Sequence, residues 1–397
     1  MDPQTPDPAG PGALTRQRNL ANLCAVIISM AGIAMLHGYS GQLLSVVLED
    51  HGVNGSLIGL SGAMQMAGVF VAIPLLPWLI RRFGPARLMM AGAALALFSI
   101  AALSQWVDVW FWFPLRFAFG AAQSTMWTTG ETWVNHSSDD RGRGRTVSIF
   151  MSVVAMGYAS GPFLLGELGS EGLLPFAAVG VIVGIIVLPL IVGLKVRIVS
   201  EGRPSVRLHQ YLRLAPVPMF SNLMFGAIGS SFIALLAVYG LRMGMGAADA
   251  ARMLGWMGWG GVFMPLLVAY LAARMDRTLL LAVFVGAGAL ATLGLPWITE
   301  MGPVMLAAYL MLFGGMRSAH YGIAMILVGD RFRGADLPSA TAVFGLMFGT
   351  GSIMGPALSG VAIDGWDPHG LFVAILLFHL VLLPLPLIAW CRRRHTS

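Results

Sequence analysis

Gly62-Ala63-Met64-Gln65-Met66-Ala67-Gly68-Val69-Phe70 returns 193 positions later as Gly255-Trp256-Met257-Gly258-Trp259-Gly260-Gly261-Val262-Phe263, with Gly, Met, Gly, Val and Phe in the same places. Two further matches follow in the same order. Asp140-Arg141-x-Arg143-Gly144 returns as Asp330-Arg331-x-Arg333-Gly334, 190 positions on, and Gly157-x-x-x-Gly161-Pro162 returns as Gly351-x-x-x-Gly355-Pro356, 194 positions on. Three matches in one order at nearly one spacing make the chain a duplication. Its halves are residues 15–194 and 214–397. Between them runs a basic linker, 195–213, with Lys195, Arg197, Arg203, Arg207 and Arg213. Residues 1–14, rich in Pro, Gly and Asp, cannot bury a core and read as a disordered tail.

The residues around the repeats say what the halves are made of. Of 397 residues, 57% are apolar and 11% charged, where an average soluble domain has roughly 25% charged. Apolar runs recur from end to end, each long enough to cross ~30 Å of hydrocarbon. They begin near Leu20, Leu57, Ala86, Trp110, Thr146, Gly172, Ala215, Ala250, Thr278, Pro303, Ser339 and Gly370. The expected fold class is all-α integral membrane, with twelve transmembrane helices in two pseudo-symmetric six-helix bundles. The first run is too long for a signal-peptide core and stays as an anchor. Cys24 and Cys391 lie at opposite ends of the chain, which argues against a disulfide or a metal framework.

Charge sets the orientation. Apart from Arg116, Arg317, Arg242 and Arg252, all of the 24 Lys and Arg fall in alternate loops or at the chain ends, which the positive-inside rule assigns to the cytoplasm. The opposite loops carry Glu49, Asp50, Asp108, Glu171, Glu300, Asp364 and Asp367. Both termini are therefore expected in the cytoplasm. The high pI reports membrane orientation and gives no reason to expect a nucleic-acid partner.

At this level of detail the chain resembles the major facilitator superfamily over essentially its whole length. The loop after the second span, Arg81-Arg82-Phe83-Gly84-Pro85, is a reduced form of that superfamily's signature, with Arg81 at the acidic position. Arg116-x-x-Phe119-Gly120 is similar to the fourth-helix motif of proton-coupled members, and Gly157, Gly161, Pro162 and Gly166 are similar to the antiporter motif of the fifth. Glu131-Thr132-Trp133-Val134-Asn135, followed by Arg141-Gly142-Arg143-Gly144-Arg145, resembles the YcaD-like bacterial permeases. The resemblance implies a secondary transporter of the bacterial inner membrane working by alternating access, with spans 1, 4, 7 and 10 lining a central cavity. It points to proton-coupled antiport, that is, export. Uptake by symport is the alternative in the same class, and a non-transporting sensor or assembly partner on the same fold is the alternative outside it. No nucleotide or cofactor motif is present, and no catalytic constellation stands at helical spacing. The partners expected are a small solute, a proton or counter-solute, and the lipid bilayer, with the chain working as a monomer.

Ionisable groups inside a membrane cost several kcal/mol unless paired or hydrated. Span 4 carries Arg116, Gly120, Gln123, Trp127 and Glu131 along one stripe, and the repeat offset places Leu310, Gly314, Arg317 and Tyr321 along the matching stripe of span 10. Two intramembrane arginines without an acid at their depth predict a positive cavity and an anionic solute. Each arginine could instead tie helices together. Trp127 and Tyr321 could stack on a ring or simply pack beside glycine. His37, Gln42 and Asn222 are further candidate solute contacts. His37, His320 and Glu131 are the candidates for carrying a coupled proton. Counting along span 4 puts Glu131 at the cytoplasmic surface, in a gate with Arg82, Arg141, Arg143, Arg145, Arg331 and Arg333.

Overall fold

The computed structural model describes residues 11–136, 143–191, 194, 208–333 and 336–396, and the side chains among them except those of 11–20, 135, 136, 143–148, 208, 209, 338 and 393–396. Twelve long helices are found among the described residues: α1 (Pro11–Asp50), α2 (Gly55–Phe83), α3 (Pro85–Leu103), α4 (Val109–His136), α5 (Arg143–Leu168), α6 (Leu174–Leu190), α7 (Pro216–Arg242), α8 (Ala247–Ala272), α9 (Arg277–Ile298), α10 (Pro303–Arg331), α11 (Asp336–Gly365) and α12 (Gly370–Arg392). Ten are long and apolar enough to cross a membrane by hydropathy alone. Of the two others, α4 carries the polar stripe and α6 has only 17 residues.

Local chemistry starts and bends these helices. Asn54 Oδ1 accepts from the Leu57 N–H at 2.9 Å, Asp108 Oδ1 from Trp110 and Phe111 at 2.9 and 3.0 Å, and Asp276 Oδ1 from Thr278 and Leu279, both at 2.9 Å. Each satisfies N–H groups that a first turn leaves without partners. Proline opens α3, α7 and α10, where its missing donor is not needed. The described part of α1 begins at Pro11, inside the stretch 1–14 read as tail. Within α2, Pro74 lies in a 3₁₀ turn at Ile73–Leu75. Most of the linker lies outside the described residues, and a short helix, Leu208–Leu214, occupies its end.

The internal repeat proves to be a repeated set of helix crossings. Gly157 and Gly161 of α5 lie against the Ala31 and Met35 carbonyls of α1, and Gly351 and Gly355 of α11 lie against the Leu223 and Ala227 carbonyls of α7. Similarly, Gly120 of α4 sits on the Gln65 carbonyl of α2, and Gly314 of α10 on the Met257 carbonyl of α8. A Cβ at any of these positions would overlap the facing backbone, so glycine sets how closely the helices approach.

The halves meet chiefly through three helix pairs, α2 with α11, α5 with α8, and α1 with α7, with lesser contact of α2 with α7 and of α1 with α8. The first pair touches along its length, from Gly55 against Ile363 to Phe70 against Gly349. The other two close only toward the end that carries Glu49: Phe163 meets Trp256 edge-on at 4.9 Å, Ala159 faces Gly255 and Gly258, and Val46 packs with Ala237 and Ala250. Helices α4 and α10 do not pack along each other. A cleft between the halves therefore opens toward the arginine-rich loops and closes at the Glu49 end.

Candidate functional site

The stripe on α4 divides between two environments. Toward the closed end, Arg116 is only 1% exposed. Its Nε donates to Ser61 Oγ at 2.9 Å and its Nη1 to Gln65 Oε1 at 2.7 Å, both on α2. Gln65 Nε2 donates to Gln123 Oε1 at 2.8 Å, Gln123 Nε2 to Ser40 Oγ at 3.4 Å, and Ser40 Oγ to the Leu36 carbonyl at 2.6 Å. A guanidinium only donates, so it fixes the orientation of both amides and makes the chain directional. Beside Arg116, Gly41, Gly62, Ser230 and Pro356 help enclose a void with room for a water molecule. The expectation that Arg116 and Arg317 share one cavity is not met in this conformation. Arg116 and Gln123 are sealed into a tie between α1, α2 and α4.

Arg317 occupies the open part. Its guanidinium carbon lies 4.7 Å from the Phe225 ring centroid on α7, and a Cβ placed on Gly229 would come within 2.5 Å of Nη1. Tyr158 of α5 lies within electrostatic reach. Among the described residues no carboxylate pairs with Arg317. Around it the C-terminal half builds an aromatic wall: Phe225 to Tyr321 at 5.0 Å, Phe225 to Phe348 at 5.9 Å, and Tyr321 to Phe344 at 5.8 Å between centroids. In the other half, His37 has its ring 5.9 Å from that of Tyr158 and in reach of Gln123, and Trp127 and Glu131 of α4 are half-buried.

Several assignments move. Glu131 is half-buried and within electrostatic reach of Tyr321. His320 is buried and bonded through Nε2 to Ser221 Oγ at 2.7 Å, and Asn222 Nδ2 donates to the Phe344 carbonyl at 2.7 Å, so both tie helices within one half. Gln42 is fully buried with neither amide atom hydrogen-bonded to protein. Phe225 and Tyr158 went unremarked in the sequence, because an aromatic in an apolar helix carries no local signal.

Of the proposed gate residues whose side chains are described, Arg82, Arg331 and Arg333 form no ion pair across the halves. Arg82 lies 5.8 Å from the rings of its own neighbours Trp78 and Phe83, and Arg331 and Arg333 are exposed; beside them Arg277, outside that set, pairs with Asp330 in the same half. Arg141 lies outside the described residues, and Arg143 and Arg145 are helical with side chains outside them. Among the described residues, every ion pair between the halves is at the Glu49 end. Arg242 of α7 holds Glu49 of α1 through Nε at 2.7 Å and Nη2 at 2.9 Å, and also Asp367 at 2.9 Å. Arg252 of α8 holds Glu167 of α5 at 2.6 Å. Asp364, at the end of α11, accepts from the Gly55 and Ser56 N–H groups, both at 2.7 Å, and from Ser56 Oγ at 2.6 Å. It thus caps the start of α2 from the other half of the molecule, a placement that also suits the helix dipole.

Residues 23–319 match the family model described as the Major Facilitator Superfamily. An uncharacterized MFS-type transporter of Bacillus subtilis, YfkF, is 23% identical over 369 residues, covering 89% of this chain and 91% of its own length. YcaD of Salmonella typhimurium, also an uncharacterized MFS-type transporter, is 23% identical over 357 residues with the same coverage. Among solved structures, the nucleoside transporter NupG superposes with a TM-score of 0.73 at 15% identity, covering 94% of this chain and 98% of that one. A bacterial homolog of the human lysosomal transporter Spinster, inward-facing and occupied, superposes with a TM-score of 0.70 at 13% identity, covering 99% and 98%. Family model, relatives and helical architecture agree: the chain is a multi-pass membrane protein and belongs to the major facilitator superfamily of transporters.

Proposed function

We propose that this transporter carries a small anionic solute through the cleft beside Arg317 by alternating access, with the arginine-rich loops in the cytoplasm of a bacterium and the cleft open to that side. The observation that carries the reading is Arg317 itself. An arginine stays protonated, and Phe225 offsets only about 0.5–2 kcal/mol of its desolvation. A bound anion would neutralise it, whereas a bound cation would add to the charge. The ion pairs gathered at the Glu49 end support a state closed on the outside, and the exposed Arg331 and Arg333, which form no ion pair across the halves, support one open to the cytoplasm. Rocking of the halves would break the first set and bring the second together.

Coupling to protons falls to the titratable groups that face the cleft, Glu131 and His37, since His320 is committed to Ser221. Export by antiport is the direction we propose, on the strength of the motifs in α4 and α5. Flux into proteoliposomes across a panel of acids, bases and neutral solutes, with and without a pH gradient, tests this. The reading expects an acid to move and to accumulate against its gradient when protons run the other way. Movement of bases alone, or of no solute at all, would refute it.

A further inference from the structure

We infer that the solute is a monoanion that carries its charge on an aromatic ring. This rests on the reading that an anion binds at Arg317 and goes on to name its class. Two features of the cleft carry it, the surface beside the guanidinium and the distribution of charge around it.

Phe225 is the hub of the surface. The guanidinium of Arg317 lies over it, while Tyr321 and Phe348 lie at 5.0 and 5.9 Å, each tilted by only 37° from its plane. Tyr321 and Phe348 remain 38% and 40% exposed. Large aromatic side chains left open beside a cation offer ring faces to whatever the cation binds. A ring attached to the bound carboxylate would lie along them in offset or edge-on contact. An aliphatic chain would gain area but not that geometry. Trp127 stands on the facing half.

Charge sets the valence. Arg116 is sealed against α2 by Ser61 and Gln65, so one guanidinium faces the cleft. Tyr321 follows Arg317 by one helical turn, about 5.4 Å along α10. A second negative charge on the ring would find no second guanidinium to meet and would keep its desolvation cost, which is how a site rejects a dianion.

The test is binding to the full-length protein in detergent, with benzoate, cyclohexanecarboxylate, phthalate, benzylamine, phenylalanine and uridine as probes. Benzoate is expected to bind about ten-fold more tightly than cyclohexanecarboxylate, which matches it in charge and size but lacks the ring, and than phthalate, which adds a charge. Tyr321→Leu should narrow the preference for benzoate over cyclohexanecarboxylate to about two-fold. Arg317→Ala should remove both, with an unchanged size-exclusion profile as the check on folding. Equal binding of benzoate and cyclohexanecarboxylate would overturn the aromatic class while leaving the anion reading intact. Tighter binding of phthalate or of zwitterionic phenylalanine would overturn the monoanion. Preference for benzylamine or uridine, undiminished by Arg317→Ala, would overturn the anion reading itself. Failure of every acid to bind at millimolar concentration rejects both.

Discussion

Changing Asp364 to Asn tests the latch at the closed end. The carboxylate accepts three hydrogen bonds from Gly55 and Ser56 and lies 3.8 Å from Arg242 Nη1. The amide keeps one acceptor oxygen and turns an NH2 toward groups that are themselves donors. Loss of a hydrogen bond to a charged group is worth about 1.5–3 kcal/mol, and loss of charge at a helix start adds about 0.3–1 kcal/mol. The side chain is 28% exposed, so water recovers part of this and about 2 kcal/mol remains. All of it favours the closed end, because opening parts α2 from α11. The ratio of outward-open to inward-open molecules should rise about 30-fold. Spin labels at Gln105→Cys in one half and Met301→Cys in the other, with Cys24 and Cys391 replaced by Ser, would report this by pulsed dipolar spectroscopy. A longer distance should gain population in Asp364→Asn. An unchanged distribution would mean that the cap does not hold the halves together, and the reasoning would fail.

Three further changes probe the cleft. Arg317→Ala should weaken binding of an acidic solute by about 2–5 kcal/mol, and Arg317→Lys should restore only part, since a point charge does not reproduce the planar fork; titration calorimetry measures both. Glu131→Gln should abolish accumulation driven by a pH gradient while leaving solute exchange across proteoliposomes, and intact accumulation would move the coupling role to His37. Gln65→Leu removes a partner of the buried Arg116 guanidinium and should lower stability by about 1.5–3 kcal/mol, read from thermal unfolding in one detergent.

Much of the fold was legible because its signals are local or repeated. Apolar length marks a span without reference to any neighbour. The glycines of spans 5 and 11 recur because the same crossing is built twice, Gly161 on Met35 and Gly355 on Ala227. The site was only half legible. The polar stripe on α4 is plain from its 3.6-residue spacing, but spacing cannot say that Ser61 and Gln65 of another helix take up Arg116. The outer latch had left a trace that went unused. Arg242 and Arg252 were the only basic residues assigned outside, in company with the acidic loops that supply Glu49 and Asp367. Phe225, central to the aromatic wall, left none.

Two-sided access to one position tests the central claim, that a single cleft beside Arg317 serves both faces of the membrane in turn. Tyr321→Cys, with Cys24 and Cys391 replaced by Ser, would be exposed to an impermeant maleimide from each face of sealed vesicles. The account predicts rapid labelling from the cytoplasmic face, and labelling from the opposite face once Asp364→Asn is added. Labelling from one face only, with the latch intact and with it broken, would contradict alternating access through this cleft.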